Sequence, residues 1–372
     1  MGIQWLLIAA FIVIVLQSYV FRKWGLKKLL YSREFNVKYR YAGEEAELIE
    51  GIANRKLLPV PWLRVESMIL SGLHFGEQTN LDMSSGQFYQ NHKSLFSLMP
   101  YTKVIRTHRI ICKKRGYYRL QSAAMSVGDL LGTPAGTRSF HTSAELYVYP
   151  QLADLSGITI SSHSFLGDVT VRRWIIEDPF LVSGVREYRY GDSLNRVNWK
   201  ATARSGRLQV QQRDFTADPR LMLIVNVEVA DKMWAAVTDP ERIENGLSIA
   251  AALVHEAVAS GVPVGFGFNG WMTGGEKESI YIEPQGGGEH LTFLLETMAK
   301  LVLERVQPID VLLEADVQRS VTNTDYVIIT PYTSPKMQQQ LDALADNGNS
   351  IEVVLTHSES KTRGGNNNEP QL

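Results

Sequence analysis

The stretch Gly184-Val-Arg-Glu-Tyr-Arg-Tyr-Gly-Asp-Ser-Leu-Asn-Arg-Val-Asn-Trp-Lys-Ala-Thr-Ala-Arg-Ser-Gly-Arg-Leu-Gln-Val210 separates two halves of different periodicity. Before Gly191 the tyrosines and arginines alternate, as in a strand. Gly191 turns the chain, and Asp192 is a natural N-cap for a helix after it. From Ser193 to Arg204 the apolar Leu194, Val197 and Ala201 recur at helical spacing, and Arg196, Lys200 and Arg204 form a basic row on another face. Ser205-Gly206 ends that helix, and Leu208 and Val210 alternate with polar neighbours as a strand does. Between Arg186 and Arg213 seven basic residues face two acids, an excess of five in a chain of net charge −1. The bland account of this stretch is a solvated basic helix face fixed by Tyr188, Asp192 and Trp199. The sharper one is an interface whose planar guanidinium groups pair with carboxylates.

Working outward, 372 residues suffice for two ordinary domains and some extra segments, and 44% hydrophobic with 21% charged residues indicates a globular chain. The near-neutral balance excludes a general nucleic-acid binder. A single cysteine, Cys112, excludes an internal disulfide framework and any multi-cysteine metal site.

Ile3 to Phe21 carry no charged side chain, and as a helix they span about 28 Å, one bilayer core. Arg22, Lys23, Lys27, Lys28 and Arg33 come next, and no Lys or Arg precedes. The charge asymmetry puts the N-terminus outside and the remainder in the cytoplasm of a single-pass cell-membrane protein. The alternative is a cleaved signal peptide, against which stand the absence of a basic leader and of a small-residue cleavage site before the basic cluster.

Residues 34–150 contain short strand candidates: Val37–Tyr41, Glu47–Ile52, Arg64–Leu70, Thr102–Cys112, Tyr117–Gln121 and Glu145–Tyr149. Pro59 and Pro61 make Leu57–Val65 read as a loop or edge, and Ser71–Ser97 as a hairpin with a long loop. Strands this short with frequent turn signals predict a β-sandwich-like domain. Residues 151–217 form a connecting segment that contains the opening stretch. From 218 to 357 strands alternate with helices. Leu221–Val225, Val262–Phe268, Ser279–Ile282, Tyr326–Thr330 and Ile351–Thr356 are the strands. Asp239-Pro240 opens a helix with Ile243, Leu247, Ala251 and Val254 on one face, His290 to Val306 form a second, and Ser334-Pro335 opens a third. That alternation predicts a parallel, doubly wound α/β domain. The polar tail 358–372 reads as disordered. The fold class is α+β multidomain: a transmembrane helix at 3–21, a sandwich, then an α/β domain.

Catalytic motifs are weak. Gly265-Phe-Gly-Phe-Asn-Gly270 spells GxGxxG, but a turn and a strand candidate come after it where a helix would be needed to meet a pyrophosphate. Gly286-Gly-Gly288 precedes a helix without the Lys-Ser/Thr of a phosphate loop. The eight histidines stand at no ligand spacing, and there is no nucleophile elbow. No enzyme activity and no cofactor are expected. The end of the first α/β strand, where open sheets bind ligands, reads Asn226-Val-Glu228-Val-Ala230. A magnesium site would want hard oxygens spaced two apart, and Ala230 supplies none.

Arg186-x-Tyr188-x-x-Gly191-Asp192, Arg196-Val-Asn-Trp199-Lys200, Ala203-Arg204 and Leu208-x-Val210 closely resemble the signature of domain-of-unknown-function family 58. Asn54 with Leu58-Pro-Val-Pro-Trp-Leu63, Lys114-Arg-Gly-Tyr117, Gly128-Asp129-Leu-Leu-Gly132 and Leu146-Tyr-Val-Tyr-Pro150 resemble its β-rich half. The block after Pro219 is similar to its von Willebrand factor type A-like half. The resemblance implies a membrane-anchored adaptor that works with a MoxR-type AAA+ ATPase, often beside a transglutaminase-like membrane protein, in assembly or maturation of other proteins. The chain departs from the family in having one hydrophobic span and in replacing the metal-site Asp-x-Ser-x-Ser by Asn226-x-Glu228-x-Ala230. The expected function is therefore non-catalytic protein interaction in contact with the lipid bilayer and with no nucleic-acid partner. The alternative is a metal- or ligand-binding sensor at that degenerate strand edge.

Overall fold

The structure, a computed structural model, describes residues 2–76, 81–85, 89–157, 182–188, 197–213, 220–230, 233 and 237–356. The tail 358–372 and most of the connecting segment before 182 lie outside them. The chain divides into two compact units, one comprising residues up to Ala153 together with Thr292–Leu301, the other the remainder.

The first unit opens with α1 (Gly2–Trp24). Its segment Ile3–Trp24, exposed over most of its length with Phe21 buried near its end, is at 22 residues or about 33 Å long and apolar enough to cross a membrane; a signal sequence would meet the same test. Among the described residues ten strands come after it: β1 (Leu29–Phe35), β2 (Tyr39–Tyr41), β3 (Glu45–Asn54), β4 (Val60–Leu70), β5 (Leu73–Phe75), β6 (Leu81–Ser85), β7 (Tyr89–Leu98), β8 (Lys103–Cys112), β9 (Gly116–Gly128) and β10 (Pro134–Tyr149). They form a four-stranded sheet β1-β3-β8-β5 and a six-stranded sheet β2-β10-β9-β4-β7-β6. Neighbours are antiparallel except β2 on β10. Alternate residues of both sheets point inward and make two apolar clusters. One holds Leu48, Ile69, Leu73, Ile110 and Leu146; the other holds Leu29, Ile52, Val60, Leu63, Phe96 and Met125. Each such side chain contributes about 1.5–3 kcal/mol on full burial.

Two strand readings change. Leu57–Val65 is no edge, because β4 begins at Val60 and lies between β9 and β7. Pro61 sits where the β4–β7 register shifts between Val60 and Leu63, so its missing N–H breaks no regular ladder bond. Strands β9 and β10 run to 13 and 16 residues. Ala123, Ala124, Ser122 and Ser126 carry little strand propensity, and partners on the neighbouring strands extend the pairing through them.

The second unit contains a short 3₁₀ turn (Leu155–Gly157), β11 (Val182–Glu187), α2 (Trp199–Ser205), β12 (Gln209–Arg213), β13 (Arg220–Val225), α3 (Pro240–Ala259), β14 (Val264–Phe268), β15 (Trp271–Met272) and β16 (Ile280–Gln285). The chain continues through α4 (Gly288–Lys300) and β17 (Leu301–Val302), which cross the division between the units, then α5 (Ile309–Gln318), β18 (Thr324–Thr330), α6 (Pro335–Asp346) and β19 (Ser350–Leu355). The five-stranded sheet has the order β16-β14-β13-β18-β19. Its pairs are parallel except β16 on β14. Met222, Ile224, Tyr326 and Ile328 pack one face against Ile309, Leu312, Leu313, Met337 and Leu341 of α5 and α6. On the other face α3 lies so close that a Cβ at Gly246 would sit 3.1 Å from Ile329 Cγ2 and 3.3 Å from Thr356 Cγ2.

Asp239 caps α3 by accepting from Arg242 N at 3.3 Å, and Ser334 caps α6 by accepting from Met337 N at 3.2 Å, as their sequences indicated. The helix expected to reach Val306 stops at Lys300, and α5 was not anticipated. Its N-cap is Pro308, which offers no side-chain acceptor and so leaves no capping signature.

Candidate functional site

The signature stretch folds differently from its periodicity. Val197 makes a β-bridge with Val210 and is buried, Asn198 N bonds Gln209 O at 2.8 Å, and α2 begins only at Trp199. Asn198 is the cap, its Oδ1 accepting from Ala201 N at 3.1 Å. Gly206, at φ +67°, closes the helix with its N–H on Thr202 O at 2.9 Å. Of the expected basic row, Lys200 and Arg204 share α2. Gly191, Asp192 and Arg196 lie outside the described residues. Arg186 is on β11, opposite Val210 of β12. Tyr188 comes just after the strand, its N–H on Leu208 O at 2.9 Å. Ala203 is exposed. Trp199 is 69% exposed, so it does not anchor the helix in a core.

These elements border an open, shallow cleft of about 450 Å³ lined by Val185, Asn198, Lys200, Ala201, Arg204 and Gln209, among others. Its two formal charges, Lys200 and Arg204, are both positive. Arg207 beside it is taken by Glu187 at 3.0 Å. A cleft with this lining suits an acidic or carboxylate-bearing ligand.

The strand edge after β13 is closed by its own bonds. Asn226 Oδ1 accepts from Glu228 N at 3.0 Å and Asn269 Nδ2 at 2.9 Å, and Asn226 Nδ2 donates to Thr330 Oγ1 at 3.1 Å. Asn269 Oδ1 accepts from Val227 N at 2.8 Å. Glu228, buried, pairs through Oε1 with Arg305 Nη1 at 2.9 Å and accepts through Oε2 from Tyr332 at 3.1 Å. Ala230 is exposed beyond this network. A hard cation needs free oxygens, and here the one carboxylate already faces a guanidinium, so the donor set does not fit a metal ion. The GxGxxG glycines serve packing: Gly265 and Gly267 lie within β14, and a Cβ on Gly265 would fall 2.7 Å from Ile282 O.

Sequence reasoning missed a charged cluster inside the sandwich. Arg33, Glu50, His92 and His108 are all buried. Glu50 Oε1 accepts from Tyr31 at 2.6 Å and Arg33 Nη2 at 3.2 Å; Oε2 accepts from Ser94 at 2.9 Å and bonds His108 Nε2 at 3.1 Å. Arg33 also donates to Ser67 Oγ at 2.9 Å and lies 3.3 Å from His92 Nδ1. Burial alone would raise the Glu50 pKa. The His108 hydrogen bond and the Arg33 charge more than offset it, holding the carboxyl well below the usual range. Burial pushes His92 down to about 3. Glu50, His92 and His108 bring one ligand atom each within 4.8 Å of one another, as a metal site would. Arg33 already places a cation among them, bonded to two of the three, so the cluster is an internal ion network. One signal was legible: each of these residues occupies the inward phase of an otherwise largely apolar alternation, Glu50 between Leu48 and Ile52 and His108 before Ile110 and Cys112.

Residues 184–362 match the model of the family described as "Protein of unknown function DUF58". The uncharacterized protein YeaD of Bacillus subtilis (strain 168) is 21% identical over 356 residues, covering 95% of this chain and 82% of that protein. Among solved structures, a non-cellulosomal cohesin from Archaeoglobus fulgidus aligns with 32% of this chain and 90% of its own at 8% identity and a TM-score of 0.23. The CARDB domain of the PF1109 protein from Pyrococcus furiosus aligns with 33% of this chain and 97% of its own at 17% identity and a TM-score of 0.19. Scores this low carry no inference about fold or function. The chain is thus similar to the DUF58 family model over residues 184–362 and to one uncharacterized protein over nearly its whole length.

Proposed function

We propose that this chain is a membrane-anchored, non-catalytic interaction protein that works with a MoxR-type AAA+ ATPase in the assembly or maturation of other proteins. In this reading α1 spans the cell membrane with its N-terminus outside and both units in the cytoplasm. The second unit is a von Willebrand factor type A-like domain that has lost its metal site, and a transglutaminase-like membrane protein is a further partner. The observation that carries the reading is the cleft at α2, with Lys200 and Arg204 in its wall and Trp199 exposed beside it. Exposed tryptophan next to cationic side chains is the composition of an interface hot spot, and its complement is an acidic surface. The self-bonded edge at Asn226 and Glu228 favours protein contact over cation sensing.

The test is a pull-down of the ATPase with the full chain in detergent, comparing the unsubstituted protein with W199A and R204E. Both positions are exposed, so folding should survive, and far-ultraviolet circular dichroism checks it. Loss of at least tenfold in capture is expected from each. Unchanged capture by folded variants overturns the role of the cleft.

A further inference from the structure

The end of the sandwich next to α1 presents apolar loop tips. Three loops meet there: 55–59 between β3 and β4, 99–102 between β7 and β8, and 129–133 between β9 and β10. At their tips Leu57, Met99, Tyr101, Leu130 and Leu131 are 60–75% exposed, which is unusual for large apolar groups gathered at one end of a domain.

The loops are tied to the helix and to one another. Ser18 Oγ donates to Asp129 Oδ2 at 2.7 Å, and Leu130 N donates to Gln17 Oε1 at 3.3 Å. Asp129 also accepts from Leu131 N at 3.0 Å, Thr133 N at 2.9 Å and Thr133 Oγ1 at 2.6 Å, so its carboxylate shapes the turn that carries both leucines. The Lys56 ammonium donates to Gly25 O and, at 2.9 Å, to Lys27 O, just past the helix. Arg55 N bonds Lys28 O at 3.0 Å. Asn54 Nδ2 joins Leu58 O and Met99 O, both at 3.0 Å.

Depth is set by the helix rise. Gln17 and Ser18 precede Arg22 by five and four residues, about 6–8 Å along α1 on the apolar side of its first cation. A loop bonded to them sits at the level of the outer acyl chains wherever α1 spans a bilayer, the depth reached by interfacial apolar segments. Around the tips stand the exposed cations Lys27, Lys28, Arg55 and Lys103, complementary to an anionic leaflet. Lys23 packs its ammonium 5.1 Å from the Trp24 ring at the same boundary.

We propose that these three loop tips are a second membrane-contacting surface, which seats the end of the sandwich in the leaflet beside α1 and fixes the orientation of the first unit on the bilayer. The proposal rests on α1 being a retained span. It assigns a physical role to Gly128-Asp129-Leu-Leu-Gly132, a motif that the interaction reading leaves unused.

The test uses the full chain in nanodiscs of phosphatidylcholine with phosphatidylglycerol. Single cysteines at L131C, L57C, V13C and E44C carry an environment-sensitive fluorophore, and acyl-brominated lipid is the quencher. Cys112 is buried, which pushes its thiol up to about 11, and the unsubstituted chain serves as the labelling blank. Glu44 is exposed at the opposite end of the sandwich, and Val13 lies within α1. Quenching at 131 and 57 at least threefold above that at 44, with 13 also quenched, is expected. Quenching at 13 but not at 131 and 57 overturns the proposal while leaving the span intact. No quenching at 13 overturns the span, and the proposal with it.

Discussion

The ion network within the sandwich makes its sharpest prediction through R33M, E50M and the double variant. Arg33 and Glu50 have fully buried side chains, 3.2 Å apart. Removing Arg33 strands a carboxylate that burial penalises, and removing one partner of a buried pair costs about 3–5 kcal/mol. E50M strands the guanidinium and also leaves Tyr31, Ser94 and His108 without their acceptor, so its cost lies at the upper end of that range. The double variant removes both charges and keeps the Tyr31 and Ser94 hydroxyls that have lost their acceptor, at about 1–3 kcal/mol for each that no water reaches. Its total should fall about 3 kcal/mol or more short of the sum of the single losses. Hydrogen exchange of β3 and β8 amides in the detergent-solubilised full chain measures the opening free energy of this region without requiring the whole molecule to unfold in one step. Additivity within about 0.5 kcal/mol, the behaviour of independent sites, refutes the network as a coupled unit. So does an R33M loss below about 1 kcal/mol.

Acid should weaken the same region. The folded pKa of His92 is depressed to about 3, whereas an unfolded histidine titrates near 6.5, so its contribution is complete above pH 6.5 and is lost as pH falls toward 3. At about 1.4 kcal/mol per pH unit the loss between pH 6.5 and 5 reaches at most about 2 kcal/mol, and H92M should flatten that slope in an exchange titration. At the signature helix, N198A removes the cap on Ala201 N and should cost about 1 kcal/mol of local stability, and G206A should cost a similar amount because φ +67° suits glycine. Protease susceptibility around residue 200 reads both. Magnesium at millimolar concentration should leave the melting of the full chain unshifted, because Arg305 already holds Glu228; a rise abolished by E228A would reverse that assignment. G246V should destabilise the second unit by about 2 kcal/mol or more, since its first added atom already lies 3.1 Å from Ile329 on the packed sheet face.

What the sequence made legible is what local chemistry encodes. The Asp239-Pro240 and Ser334-Pro335 caps, the buried run Leu221–Val225 and the apolar face of α3 are set by neighbours within one or two turns. The start of α2 was misplaced because Val197 has helical spacing to Ala201 yet pairs with Val210 across the turn, a contact that periodicity does not see. Helix α5 escaped because Pro308 caps nothing and Asp316, which accepts from Tyr326 at 3.0 Å, interrupts the apolar face with a residue that reads as surface.

The ion network escaped for a deeper reason. Its members come from β1, β3, β4, β7 and β8 and span 75 positions, from Arg33 to His108. Each one alone looks like a polar exception in a strand. Only the pairing Glu50↔Arg33 in the β1–β3 register, with β4, β7 and β8 supplying Ser67, His92, Ser94 and His108, converts these exceptions into one band between the two apolar clusters. That band also limits which registers the sandwich can adopt. A slip of two residues in β3 would keep its apolar residues inward but bring Leu48 or Ile52 against Arg33, leaving a buried guanidinium unpaired at about 3–5 kcal/mol. Apolar alternation tolerates several slipped pairings of Leu, Ile and Ala at comparable energy, whereas a single buried pair does not. The network's contribution is thus to the uniqueness of the sandwich more than to its net stability, which is why removing both charges should cost less than removing either one's partner suggests.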